Sequence, residues 1–197
     1  MRLHFGPIPD TAEVSPEEGW VPSKEPPAWL VVWVLSLPAA ALLAFAATVS
    51  VIRYTEISIQ GMSLSGLLLV YAALVPVHEL VHAAFHPDRG LSKNTVLGFW
   101  PASVVFFAHY EGQRTRGGFM LGLLAPFLFL SLALMAVSGA LGWSSWIAGA
   151  VIILNAAVSS ADVLGAAIVA FVVPAGSVVR NKGWYTYWKM KDAAGEP

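Results

Sequence analysis

The sequence predicts an all-α integral membrane protein: four transmembrane helices, with a short β-hairpin or re-entrant segment between helices 2 and 3. Three observations lead there. Of the 197 residues, 57% are hydrophobic and only 12% are charged, against about 25% charged in an ordinary soluble domain. The apolar residues fall into long charge-free runs, long enough for the roughly 20 residues that a helix needs to cross the hydrocarbon core. One run carries His78-Glu79-Leu80-Val81-His82, and ionisable groups at membrane depth mark function by default.

Residues 1–27 are polar, rich in proline and scattered with acids. They read as an extended N-terminal tail, with Trp20 against the membrane surface, or as plain disorder. No basic segment followed by an apolar one opens the chain, so no cleaved signal peptide is expected. The membrane-embedded domain is expected over 28–175. Its first span, Ala28–Ile52, begins with Trp29 and Trp33, which suit a membrane–water interface, and Pro38 is a candidate kink. The second span, Leu64–Phe85, holds the motif near its C-terminal end, just after Pro76. Residues 86–117 form the longest connection. Within it Thr95–Tyr110 is apolar and β-prone, too short to span and broken by Pro101; such a segment is tolerated at the membrane only if buried in protein or facing a cavity. It reads as a folded surface loop or as an edge strand able to pair with an extended substrate. The third span, Gly118–Leu141, contains Pro126, and the fourth runs over Ser145–Val173. That length implies a kink or unwound turn near Ser159–Ser160. Residues 176–197 form a basic and aromatic tail, expected as an interfacial anchor.

With four spans, ten lysines and arginines fall on the side of both termini and the 86–117 loop, and only Arg53 on the other. The positive-inside bias places both termini and the motif in the cytoplasm. A net charge of −1 gives no sign of nucleic-acid binding. Cysteine is absent, which excludes disulfides and thiolate metal sites. A transition metal must then be held by His, Asp or Glu, a donor set that suits zinc.

On a helix, residues four apart share a face, so His78 and His82 can hold one metal ion. Glu79 lies about 100° around from His78, at the flank of the pair, where it can take a proton from a water activated by the metal. A zinc site of this kind needs a third protein ligand. Of the twelve acids, only Glu79 and Asp162 fall within spans, which points to Asp162. The plainer alternative is a structural polar cluster in which Asp162 bonds Asn155 or the nearby serines. His86, His109 and Glu111 are rival ligands. His86 rises about 6 Å beyond His82 on a straight helix, out of reach of a metal between His78 and His82.

These residues resemble the site-2 protease class of intramembrane zinc metalloproteases. The likeness rests on His78-Glu79-Leu80-Val81-His82 and on the stretch from Asn155 to Asp162. This chain departs from the class where Val158 replaces a proline, Val163 replaces a glycine and the Asn-to-Asp spacing is one residue shorter. A closer resemblance is to a small bacterial and archaeal membrane family of zincin peptidases, over about Leu64 to Trp188. The resemblance implies Zn2+ held by His78, His82 and Asp162, Glu79 as general base, and Asn155 orienting substrate or intermediate. It also implies a multi-pass protein of a prokaryotic cell membrane that acts on a membrane-spanning or membrane-proximal peptide segment. The partners expected are thus a membrane protein or peptide and the lipid bilayer, and no nucleic acid. Two other functions stay open: a non-catalytic metal-binding regulator, and a transporter or proton relay working through Glu79 and Asp162.

Overall fold

The computed structural model describes residues 1–23, 29–58 and 61–191. The expected start of the first span at Ala28, the end of the N-terminal stretch at 24–27 and the last residues of the C-terminal tail lie outside the described residues, as do the side chains of Trp29 and Trp33. The chain divides into two compact units, one made of 30–81 with 124–164 and the other of 1–29, 82–123 and 165–197.

The first of these is helical. It takes most of α1 (Trp29–Tyr54) and α2 (Leu64–Ala84), the π-helical segment Phe127–Ala133 that follows α3 (Arg116–Pro126), then α4 (Leu134–Leu141), α5 (Trp146–Val158) and the start of α6 (Ser160–Val172). Val51, Ile57 and Ile152 form its buried cluster. Glycines let the backbones close in, as small residues do between membrane helices. A Cβ on Gly139 would stand 2.6 Å from the Tyr54 carbonyl oxygen, and one on Gly149 would stand 2.7 Å from the Ile57 side chain. The outward face is apolar: Leu35, Leu42, Phe45, Leu68 and Leu69 are all exposed, a surface that water would not tolerate over so wide a patch and lipid does. Among the described residues, three helices are long and apolar enough to cross a membrane, at Val34–Tyr54, Leu64–Ala84 and Arg116–Leu141. α5 and α6, bent by 43° across their break, pass the same test as a pair. The break falls at Ser159, where the length of the fourth apolar run called for one.

The second unit corrects the expectation of an all-α protein with one hairpin. Among the described residues it contains seven strands in two sheets. The hairpin is there, as β3 (Thr95–Trp100) and β4 (Val105–Tyr110), turned over Pro101–Ser103. β1 (Arg2–Phe5) joins its outer edge in parallel with β3. The other sheet runs in the order β2–β7–β6–β5, from β2 (Val21–Pro22), β7 (Tyr185–Met190), β6 (Ser177–Lys182) and β5 (Arg114–Thr115). The supposed N-terminal tail is therefore paired at both ends. The Met1 ammonium donates to the Leu91 carbonyl at 3.0 Å, Arg2 Nε donates to the Lys93 carbonyl at 2.8 Å, and Arg2 pairs with Glu111. Trp20 is buried rather than at a membrane surface, with the Lys189 ammonium 5.1 Å from its ring centroid. The C-terminal stretch is a hairpin turned at Gly183, whose φ of 56° suits glycine. Phe119, Val169, Val173 and Val179 form the core here.

Burial holds two imidazoles of this unit neutral. Desolvation, with the Arg114 guanidinium beside them adding to it, pushes His86 down to about 3 and His109 down to about 4. Both folded-state values lie below the ordinary 6.5, so the unfolded chain binds protons first. Their contribution to stability is complete above about pH 6.5 and is lost as pH falls from there toward 4. The melting midpoint in detergent, followed by circular dichroism, should drop between pH 7 and 5, and His109→Gln should make that drop shallower.

Candidate metal centre

His78, Glu79 and His82 stand on the last two turns of α2, and one donor atom from each lies within 4.8 Å of the others. The i, i+4 spacing does this by itself: both rings fall on one face of the helix. His78 is 2% and His82 9% exposed.

Each ring is held by its Nδ1. His82 Nδ1 lies 2.7 Å from the Gly122 carbonyl oxygen in α3. A carbonyl only accepts, so Nδ1 carries a proton, and Nε2 is the nitrogen left to face a metal. That carbonyl is available for a reason visible in the sequence. In an α-helix it would accept from residue 126, but Pro126 has no N–H to give.

His78 Nδ1 lies 2.9 Å from Asn155 Oδ1. The orientation of this amide follows from its neighbours. The Ser131 hydroxyl donates to the Ile152 carbonyl at 3.0 Å, so its oxygen accepts from Asn155 Nδ2 at 2.9 Å; the same Nδ2 donates to the Pro126 carbonyl at 2.9 Å. With both amide hydrogens committed, Oδ1 faces the ring as an acceptor and His78 Nδ1 donates. Asn155 is fully buried. An unsatisfied polar group in such a place costs about 1–3 kcal/mol, and this network leaves none on the amide.

His78 Nε2 lies 3.2 Å from Asp162 Oδ2. A bare ring nitrogen and a carboxylate oxygen both accept only, so this approach calls for a second ring proton or a cation between them. Two donors on one tetrahedral zinc, at bond lengths of about 2.0–2.2 Å, stand about 3.3–3.5 Å apart. The pair fits a shared zinc. Asp162 lies in the first turn of α6, where the helix dipole favours negative charge.

The structure thus gathers His78, Glu79 and His82 on one helix and brings Asp162 and Asn155 to His78. Of the rival ligands, Glu111 is engaged by Arg2, His86 packs its ring on Tyr110 at 5.4 Å between centroids, and His109 is buried in β4. Sequence reasoning missed Gly122, Pro126 and Ser131. A proline four residues after Gly122 was the signal for the first, and the need of a buried Asn for acceptors was the signal for the others.

Residues 71–178, more than half of the chain, match the model of the family described as "Putative zincin peptidase". No curated protein matches, and no solved structure does. The matched stretch includes the whole of the His-Glu-x-x-His group, the Gly122 and Asn155 partners and Asp162, and zinc is the metal the family implies. On this match the chain belongs to the zincin peptidase family.

Proposed function

We propose that this chain is an integral-membrane zinc endopeptidase that hydrolyses peptide bonds in membrane-spanning or membrane-proximal segments. The observation that carries the reading is the pair of committed Nδ1 protons: they leave His78 and His82 presenting Nε2 from one face of an apolar helix, with Glu79 in the same group. Metal-binding histidines generally give their other ring proton to such an acceptor.

In this reading His78 Nε2, His82 Nε2 and Asp162 Oδ2 hold the zinc. When bound, zinc acts as a Lewis acid toward the scissile carbonyl and brings the pKa of water toward about 7. Glu79 takes the proton of the attacking water and returns it to the leaving amine as the C–N bond breaks. Asn155 acts through His78 as a positioning residue. Its amide hydrogens are spent on Pro126 and Ser131, which favours this role over contact with substrate. α5 and α6 together make the fourth crossing, and both termini lie with the motif on the cytoplasmic side, as the lysine and arginine bias directs.

Zinc content of the detergent-purified protein should be about one per chain, and should fall sharply in Asp162→Ala. Zinc retained in that variant would move the third ligand elsewhere; none in wild type would favour a carboxylate relay. Glu79→Gln should keep its zinc and lose roughly a hundred- to ten-thousand-fold in cleavage, and normal cleavage by it would remove Glu79 as the base. Ser131→Ala frees the Asn155 amide to turn, so its zinc affinity, measured by chelator competition, should drop by about 10–100-fold.

A further inference from the structure

Among the described residues of the strand-rich unit, Arg114 and the buried His86 lie in one electrostatic neighbourhood with no carboxylate paired to either. The Arg114 guanidinium carbon lies 4.4 Å from the Phe119 ring centroid and 5.8 Å from that of Tyr110. Its Nη2 donates to Asn181 Oδ1 at 3.2 Å. These contacts fix the orientation of the head group without neutralising it. Among the described residues no carboxylate lies within ion-pair distance of Arg114; Glu111, three residues earlier, is paired with Arg2. The titratable groups that share its field, Tyr110, His86 and His109, include no carboxylate, and Nδ1 of the buried His86 has no hydrogen-bond partner. Arginines in such surroundings are ordinarily paired. The neighbouring Arg116 has its own explanation, since it donates to the Ala170 carbonyl at 2.7 Å, in the last turn of α6.

The position of Arg114 matters as much as its charge. A Cβ on Gly122 would stand 3.4 Å from Arg114 Nη1, and Gly122 is the residue whose carbonyl holds His82. A planar, preoriented guanidinium suits bidentate contact with a carboxylate. The Arg114 side chain is half-buried, and burial pulls its guanidinium down to about 10, so the charge is poorly solvated and gains from an anionic partner.

We propose that Arg114 binds a carboxylate of the peptide substrate, from an acidic side chain near the scissile bond or from a free C-terminus. This rests on the peptidase reading above and gives it a substrate class. The guanidinium binds and orients; it takes no part in the proton transfers.

The test uses full-length, zinc-loaded protein in detergent and fluorescent peptides of one apolar sequence, with Glu against Gln at a flanking position in one pair and a free against an amidated C-terminus in the other. Binding is read by anisotropy with the Glu79→Gln variant, and cleavage with the wild-type chain. The carboxylate peptide of one pair should bind at least about ten-fold more tightly, as a charge-assisted contact implies, and the pair that shows it identifies the source. Arg114→Gln, placed in the same Glu79→Gln background, should abolish the preference, and Arg114→Lys should keep part of it. Equal binding of both members in each pair would overturn the proposal, as would an Arg114→Gln chain that melts early and weakens all peptides alike. A melting shift with inorganic phosphate, lost in Arg114→Gln and without any carboxylate preference, would assign the cluster to phosphate instead. If peptides bind with the preference but wild type cleaves none, the peptidase reading fails and the carboxylate site stands.

Discussion

Two ring protons have to be given away in an apolar place. An imidazole can present Nε2 to a metal only if Nδ1 has an acceptor, and the interior of a membrane helix bundle offers few, because its carbonyls are already bonded along each helix. The chain meets this constraint twice by different means. For His82 it uses a backbone carbonyl, that of Gly122, which Pro126 leaves without its helical partner. For His78 it imports a side-chain carbonyl, that of Asn155, and must then satisfy the two hydrogens that come with it. Pro126 serves both arrangements, since it withholds an N–H from Gly122 and offers its own carbonyl to Asn155.

The remaining elements serve that arrangement. Close helix approach at Gly139 and Gly149 compacts the helical unit that carries His78, Asn155 and Asp162. The break at Ser159 ends α5 just after Asn155 and begins a new helix just before Asp162. One bend thus lets a single apolar run supply an internal amide and a carboxylate in the first turn of a helix, where the dipole favours its charge. In the other unit, the hairpin, the first strand and the C-terminal hairpin make two sheets from stretches that are polar or mixed. That unit carries His82 with Gly122, and also Arg114, which among the described residues is paired with no carboxylate.

Much of this was legible in the sequence. The apolar runs located the helices because lipid imposes a length and forbids charge, so each exception stood out; Glu79 and Asp162 were visible for that reason. The hairpin strands begin and end at Thr95 and Tyr110, as the β-branched and aromatic pattern indicated. The other strands were not legible, because their partners are remote. β1 pairs with β3 across about ninety residues, and β2 is two residues long; nothing local announces either. The C-terminal hairpin does alternate, with Ser177 and Val179 buried and their neighbours less so, but its aromatic residues look the same whether they anchor in lipid or pack in a sheet. The acceptors of the two histidines were hidden because backbone carbonyls leave no mark in a sequence unless a proline gives them away.

The π-helical turn between Phe127 and Ala133 bears on more than hydrogen bonding. Such a segment spends five residues where an α-helix spends four, so it holds a surplus in the chain. Deleting one residue there would let the helix tighten into ordinary α form at no cost in apolar character. The residues inside the turn would change face as it tightened, and Ser131 would leave the side that meets Asn155. In this span the spacing of residues is specified as strictly as their identity. A sequence can drift freely on its apolar outward side and remain the same protein, while a single codon lost in the middle would leave a good apolar helix and an Asn155 amide short of an acceptor.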